Sequence, residues 1–421
     1  MRIALIADTF PPLRTSGAVQ LRDLSREFVR QGHALTVMLP TAGLSAPWSL
    51  EDFDGVQVLR LWAPKTKDIN YVSRTINEFL MPFAMLRNLR KSPLAKERWN
   101  GVVWYAPSIF HGPLANALKK TSACKGYLVI RDIFPEWAAD MGLMSRGLPY
   151  KLFRAVANYQ YSVADVIGIQ TQGNLSYFSD RPNCRIEVLQ NWLADATNVG
   201  CSIDVAGSAL AGRTIFVYAG NMGVAQGMDV LLDVAERLRS RTDTGFLFVG
   251  RGSDASRLRA DAKKRGLDNV AFFDEIDPTE IPGLYAQCHI GLVALDHRHK
   301  THNIPGKFLS YMQAGMPVLA SINPGNDLVD MIESEGVGRV CTDHSVDTLQ
   351  RLALELVDEM AAARGMQSTG NAEVSKRCKA LSARLFSPET AVRQIVAALA
   401  GGTCGVKLQL GCCRPWGRPF A

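Results

Sequence analysis

Two doubly wound α/β domains are what this sequence predicts, and three observations predict them. The chain has 421 residues, which exceeds one ordinary core and calls for two or three domains. Short apolar, β-rich runs alternate with longer segments of helical period, the signature of βα units around a parallel sheet. That alternation stops at residues 191–212, a stretch rich in Gly, Ala, Ser and Asp, and then restarts. A boundary there divides the chain into residues 1–200 and 201–400, with the final helix expected either to stay with the second half or to pack back on the first.

The elements follow in order. Strands are expected over residues 3–7, 34–39, 56–61, 102–105, 127–130, 166–170 and 185–189. A helix over 19–30 puts Leu21, Leu24 and Phe28 on one face and ends at Gly32. In the second half, strands are expected over 214–219, 246–249, 270–273, 290–294 and 318–320, and a helix over 389–399 after Ser387-Pro388. Residues 401–421 lack periodicity and read as a disordered tail.

Composition narrows the class. Hydrophobic residues at 47% and charged residues at 21% exclude disordered and fibrous chains. The formal net charge of +7 is spread widely, and no basic face with interleaved stacking aromatics argues for nucleic acid. Nine cysteines without a CxxC pair fit reduced cytoplasmic thiols better than disulfides or a zinc ribbon. The opening apolar run stops at Asp8, too short for a signal peptide, and no stretch reaches the length of a membrane span.

In doubly wound sheets ligands bind beyond the carboxyl ends of the strands, so the loops there are the candidates for chemistry. After the first strand, residues 8–18 form a small-residue loop containing Gly17 that opens a helix, either an ordinary βα turn or an anion site. Residues 218–227 place Gly220, Asn221, Gly223 and Gly227 ahead of another helix, and Gly250-Arg251-Gly252 makes a second glycine turn. Neither is a Walker loop. The polar run 296–303 carries three histidines, but Arg298 and Lys300 within it favour an anion-facing loop over a metal site. Lys307 follows in the first turn of a helix, where it opposes the dipole, as expected of a residue that meets an anion. Asp52-Phe53-Asp54 reads as a surface turn. Asp132 and Glu136 cluster with Arg131 after the fifth strand, as a substrate site or a buried ion pair. Residues 71–99 mix an apolar series with six Lys or Arg against two Glu, a segment suited either to its own sheet or to an anionic membrane surface.

Taken in order, these pieces resemble the retaining family-4 glycosyltransferases of the GT-B fold. They include Pro11-Pro12…Gly17, Gly220…Gln226-Gly227, Val249-Gly250-Arg251-Gly252 and Gln313-Ala314-Gly315-Met316-Pro317-Val318. Within that family, residues 132–136, 218–223 and 305–312 are most similar to bacterial O-antigen and capsule enzymes of the N-acetyl-L-fucosaminyltransferase type. The resemblance implies two Rossmann-like domains facing a central cleft. It implies a UDP-sugar donor on the second domain and a lipid-diphosphate-linked acceptor on the first, at the inner face of the cytoplasmic membrane. It assigns diphosphate contacts to Gly17, Gly220, Asn221, Gly223, Gly250, Arg251, Gly252 and Ser310, and the donor sugar to Gly325, Asn326 and Asp327. Lys307, Asp132 and Glu136 become the catalytic candidates, with neither metal nor cofactor. Where family members carry Arg and Lys in the first glycine loop, this chain has Asn221 and Gln226, and a Glu-x7-Glu pair aligns with His302 and Ser310. A non-catalytic subunit and a nucleotide-sugar epimerase are the alternatives.

Overall fold

The structure, a computed structural model, describes residues 1–13, 15–178, 184–298, 300, 304–365 and 369–402. The expectations for His302 and for the tail beyond Gly402 lie outside the described residues. The first sheet has eight strands: β1 (Arg2–Ile6), β2 (Ala34–Thr41), β3 (Trp48–Phe53), β4 (Val56–Trp62), β5 (Gly101–Tyr105), β6 (Lys125–Val129), β7 (Val166–Ile169) and β8 (Arg185–Val188). Their order is β3-β4-β2-β1-β5-β6-β7-β8. Every neighbouring pair is parallel except β3–β4, an antiparallel hairpin. In β1, Ala4 and Ile6 enter one core and Ile3 and Leu5 enter the other. Both faces are thus covered, which is why parallel strands read as continuous apolar runs. The covering helices are α1 (Ser16–Arg30), α2 (Tyr71–Leu89), α3 (Gly112–Ser122), the short α4 (Glu136–Asp140) and α5 (Leu148–Val163).

The second sheet holds β9 (Thr214–Ala219), β10 (Thr244–Val249), β11 (Val270–Phe273), β12 (Ile290–Ala294), β13 (Val318–Ser321) and β14 (Gly338–Cys341). The order β11-β10-β9-β12-β13-β14 is 3-2-1-4-5-6 within the domain, the Rossmann arrangement. Its helices are α6 (Asp229–Arg237), α7 (Ala255–Lys264), α8 (Ile281–Tyr285), α9 (Gly306–Ala314), α10 (Asp327–Glu335), α11 (Val346–Gly365) and α12 (Thr369–Leu385).

The last helix, α13 (Pro388–Leu399), returns to the first sheet. Its Val392, Ile395 and Leu399 share a core with Leu21, Leu24 and Phe28 of α1. Gln394 donates to the carbonyl of Val188 (2.8 Å), and Leu399 occupies the space that a side chain at Gly101 would need. A cut at residue 200 therefore separates this helix from the sheet that it covers. Two strands, β3 and β14, were not expected from the sequence, and α1 begins at Ser16, so Gly17 belongs to a helix rather than to a loop.

Candidate functional site

Strand order reverses between β1 and β5 in the first sheet and between β9 and β12 in the second, and these two switch points define the cleft. Two helix N-termini meet there. Thr15 caps α1 by accepting the Ala18 N–H, while the N–H groups of Ser16 and Gly17 have no acceptor within the helix. Opposite, α9 starts at Gly306, and a Cβ added to that glycine would lie 3.2 Å from the Ser16 hydroxyl. The positive dipole ends of both helices therefore converge on one small region. Lys307, the second residue of α9, extends back over β9. Its Nζ is 4.3 Å from the centre of the Tyr218 ring, and its stem passes over Gly220. This places a cation at the second switch point.

The glycine loops behave differently from the expectation. The Gly220 N–H donates to Val249 (2.9 Å), and the Gly223 N–H donates to the Gln226 side chain (2.9 Å). Asn221 also donates to that Gln226 oxygen (3.3 Å), so the two residues that replace the family's cations bind each other. Neither Gly220 nor Gly223 therefore offers its N–H to a diphosphate in this conformation. Gly250 and Gly252 are needed for another reason. A Cβ on Gly250 would lie 2.0 Å from the Gly220 carbonyl oxygen, and one on Gly252 would lie 2.3 Å from that of Met222. The two loops interlock through their backbones, which only glycine permits. Arg251 points outward and pairs with Glu275 (3.1 Å).

Several other candidates also have structural partners. Ser310 donates to the Gly306 carbonyl one turn back (3.3 Å). Gly325 takes φ +76° in the turn before α10, and Asn326 caps that helix by accepting the Leu328 N–H. Asp327 accepts the Gly173 N–H at 2.7 Å, so it reaches across to the first domain rather than into a sugar pocket. Asp296 is held by Arg298 through two bonds of 2.8 and 2.9 Å, which keeps its carboxyl below the usual range. No cluster of metal-ligating side chains occurs among the described residues.

On the first domain, Glu136 opens α4 at the carboxyl end of β6. Its Oε2 has no partner among the described residues, and Arg154 lies 3.9 Å from Oε1. Burial pushes its carboxyl above the usual range, against the pull of Arg154 and Tyr150. A carboxyl raised in the folded state adds stability below its unfolded pKa and loses it as pH rises through the folded value. The melting temperature of the native protein should therefore fall relative to Glu136→Gln as pH rises from the acid range to neutral. A gap independent of pH would remove this reading. Asp132 adds negative charge near Tyr105 and Arg131. Arg131 lies flat on Trp192 of the interdomain linker (4.2 Å) and so braces that linker.

Two features escaped the sequence. His111 precedes α3 at the β1/β5 switch point, fully buried, with neither ring nitrogen bonded among the described residues. Burial pushes its pKa down, and Asp8 opposes that shift. The signal available was a histidine directly before Gly-Pro at a strand end. The second feature is a clamp on the approach to α9. Gln170 accepts the Ile304 N–H (3.1 Å), Asn191 donates to the Ile304 carbonyl (2.7 Å), and Gln170 donates to the Arg131 carbonyl (2.8 Å). Both side chains, Gln170 and Asn191, are more than nine-tenths buried, so these bonds are strong determinants of local geometry. The peptide three residues ahead of Lys307 is thus fixed by the first domain.

Comparison with known proteins agrees with this fold. Residues 213–359 match the family model described as Glycosyl transferases group 1. The chain is 24% identical over 242 residues to WbjE of Pseudomonas aeruginosa, named as a probable glycosyltransferase, covering 56% of this chain and 60% of that one. It is 25% identical over 275 residues to WcaI of Escherichia coli (strain K12), named for glycosyl transfer in colanic acid biosynthesis, covering 61% and 66%. The match thus spans less than two thirds of either relative. Among solved structures, sucrose-phosphate synthase from Thermosynechococcus elongatus has a TM-score of 0.70 at 15% identity, covering 95% of this chain and 98% of that one. Anabaena HepE in complex with UDP and glucose has 0.67 at 14%, covering 95% and 99%. At these identities the likeness is one of fold, and that fold is GT-B.

Proposed function

We propose, on a second domain that matches the group 1 glycosyl transferases, that the protein is a retaining glycosyltransferase. It moves a sugar, an N-acetylated deoxysugar on the resemblance above, from a UDP donor to a lipid-diphosphate-linked saccharide. WcaI's naming for colanic acid biosynthesis supports a bacterial polysaccharide as the product class, which the resemblance above narrows to O-antigen, lipopolysaccharide or capsule. The work is done at the inner face of the cytoplasmic membrane, with the basic segment 71–99 toward anionic lipid. The observation that carries the reading is Lys307 over Tyr218, beside two apposed helix N-termini.

In this mechanism the bond from the anomeric carbon to the donor's phosphate oxygen breaks, and an oxygen of the acceptor takes its place on the same face. The acceptor's proton passes to the leaving phosphate or to Glu136 or Asp132. Negative charge grows on the diphosphate as the bond breaks, and Lys307 with the N-termini of α1 and α9 stabilises it. These groups supply the charge, so no metal or cofactor is invoked. Contact between the domains keeps water from the donor.

Titration calorimetry with UDP, GDP and NAD tests the reading. UDP should bind, and its affinity should fall roughly 10- to 150-fold in Lys307→Ala, the loss of about 1.5–3 kcal/mol for a charge-assisted contact. The mutual bonding of Asn221 and Gln226 favours a second reading, a non-catalytic subunit of the same fold. Absence of any nucleotide binding would select it.

A further inference from the structure

We infer that α2 and α5 together form a docking surface for a bilayer with anionic headgroups, which holds the first-domain rim of the cleft against the membrane. This extends the contact proposed for residues 71–99 to a second helix and does not depend on the sugar-transfer chemistry.

The distribution of exposed apolar side chains carries the inference. Among the described residues, nine of the thirteen exposed large apolar side chains lie in residues 71–83 and 143–159. On α2, Val72, Ile76, Leu80 and Phe83 are all more than half exposed. At about 100° per residue they fall within an arc of about 80°, opposite Met81 and Met85 in the core. On α5, Leu148 at 81% exposure and Leu152 at 50% form a second stripe with Tyr159, opposite Tyr150 and Ala157. Monomeric surfaces scatter such residues singly, so a stripe on each of two helices that both pack on α3 marks a contact surface.

The helices flank one aromatic seam. Phe110 packs against Phe79 of α2 at 5.1 Å and against Phe153 of α5 at 6.4 Å. The stripes therefore share one side of the first domain.

The occupant follows from charge. Residues 71–99 carry six Lys or Arg against two Glu, a surplus of four within a chain whose net charge is +7. Arg87, Arg90, Lys91 and Lys96 are exposed beyond one end of the α2 stripe, and Lys65 and Lys67 lie exposed before the other. Lys151 is exposed between the two leucines of α5. An apolar stripe bracketed by cations is complementary to acyl chains beneath anionic headgroups. Among the described residues no helix is long and apolar enough to cross a membrane, and both stripes belong to helices whose other faces are core.

The surface also borders the cleft. Phe153 packs on Phe134 at 5.4 Å, two residues before Glu136, and Arg154 of α5 reaches Glu136. Glu78 of α2 lies within the field of Asp8 at the end of β1. A lipid-linked substrate would thus enter from the bilayer beside the first-domain half of the site.

Co-sedimentation of the full chain tests this with vesicles of phosphatidylglycerol and phosphatidylethanolamine and with phosphatidylcholine alone. The native protein should bind the anionic vesicles, and salt should weaken that binding. Ile76→Glu/Phe83→Glu and, separately, Leu148→Glu/Leu152→Glu should each reduce it about tenfold or more. UDP affinity, measured on the same samples, should not change, which separates docking from misfolding and from failure of the transferase reading. Equal binding to phosphatidylcholine would overturn the inference. Retained binding in the α5 double variant would overturn it, since one helix would then suffice. So would the absence of vesicle binding with a dimer that the variants dissociate, because the face would then join two copies.

Discussion

Replacing Lys307 with alanine is expected to lower the rate of sugar transfer by roughly 10²–10³-fold, the loss that follows removal of one preorganised donor from a developing anion. The size of the effect comes from the absence of substitutes. The loop that would supply cations from β9 holds Asn221 and Gln226, bonded to each other, and the N–H groups of Gly220 and Gly223 are already taken. Among the described residues, Lys307 and the helix N-termini are the groups that the proposal leaves to neutralise a leaving diphosphate. Lys307→Met keeps an alkyl stem over Gly220 and Tyr218 while removing the charge, so it should fall as far as alanine. If Met retained the rate, the side chain would be acting by shape, and the electrostatic assignment would be wrong. The reading is taken from initial rates at saturating donor.

Gly250→Ala is expected to have the largest effect on stability, about 3 kcal/mol or more. The residue sits at φ +144° with the backbone of Gly220 directly against it, and a methyl group would overlap the Gly220 carbonyl oxygen at 2.0 Å. Backbone cannot turn aside as a flexible side chain can, so both loops must separate. Because the displaced loop lies under Lys307, UDP affinity should fall with stability. Gly325→Ala is the control: its φ of +76° also disfavours a side chain, but nothing lies within 4 Å of the added atom. It should cost about 1–2 kcal/mol, the conformational term alone. Urea denaturation of the two variants measures the difference, and equal losses would mean that the interlock between the loops is dispensable.

Much of the fold was legible because strands buried on both faces leave continuous apolar runs. The bounds expected for β9, β11 and β12 coincide with the strands in the structure. β3 was not seen because it is an edge strand paired only to β4, with Ser49, Glu51 and Asp52 breaking its apolar pattern. Its signal lay in the turn: Asp54 and Gly55 take φ 54° and 78°, as a two-residue hairpin requires. β14 is a four-residue edge strand and equally faint.

The site was legible in part. Lys307 stood out because a lysine in a first helical turn is locally unfavourable, and the structure sets it over Tyr218. Gln170 and Asn191 could not, since their bonds to Ile304 span 134 and 113 residues. His111 is distinguished by burial, and its local signal, a histidine directly before Gly-Pro, does not reveal that. The glycine loops illustrate a further limit. A glycine in the sequence says that backbone can come close, but not which group takes its N–H.

The return of α13 gives the molecule an unusual order of assembly. The first sheet cannot be fully covered until residues 388–399 have been made, after the whole second domain. During synthesis the amino-terminal half must wait, with the part of α1 and the sheet that α13 covers still exposed, for the last helix to arrive. In the finished protein the chain passes between the domains twice, once beside Trp192 and Leu193 and once at Phe386, where the Leu193 N–H donates to the Phe386 carbonyl (2.9 Å). Two crossings held side by side resist twist between the domains more than a single linker would.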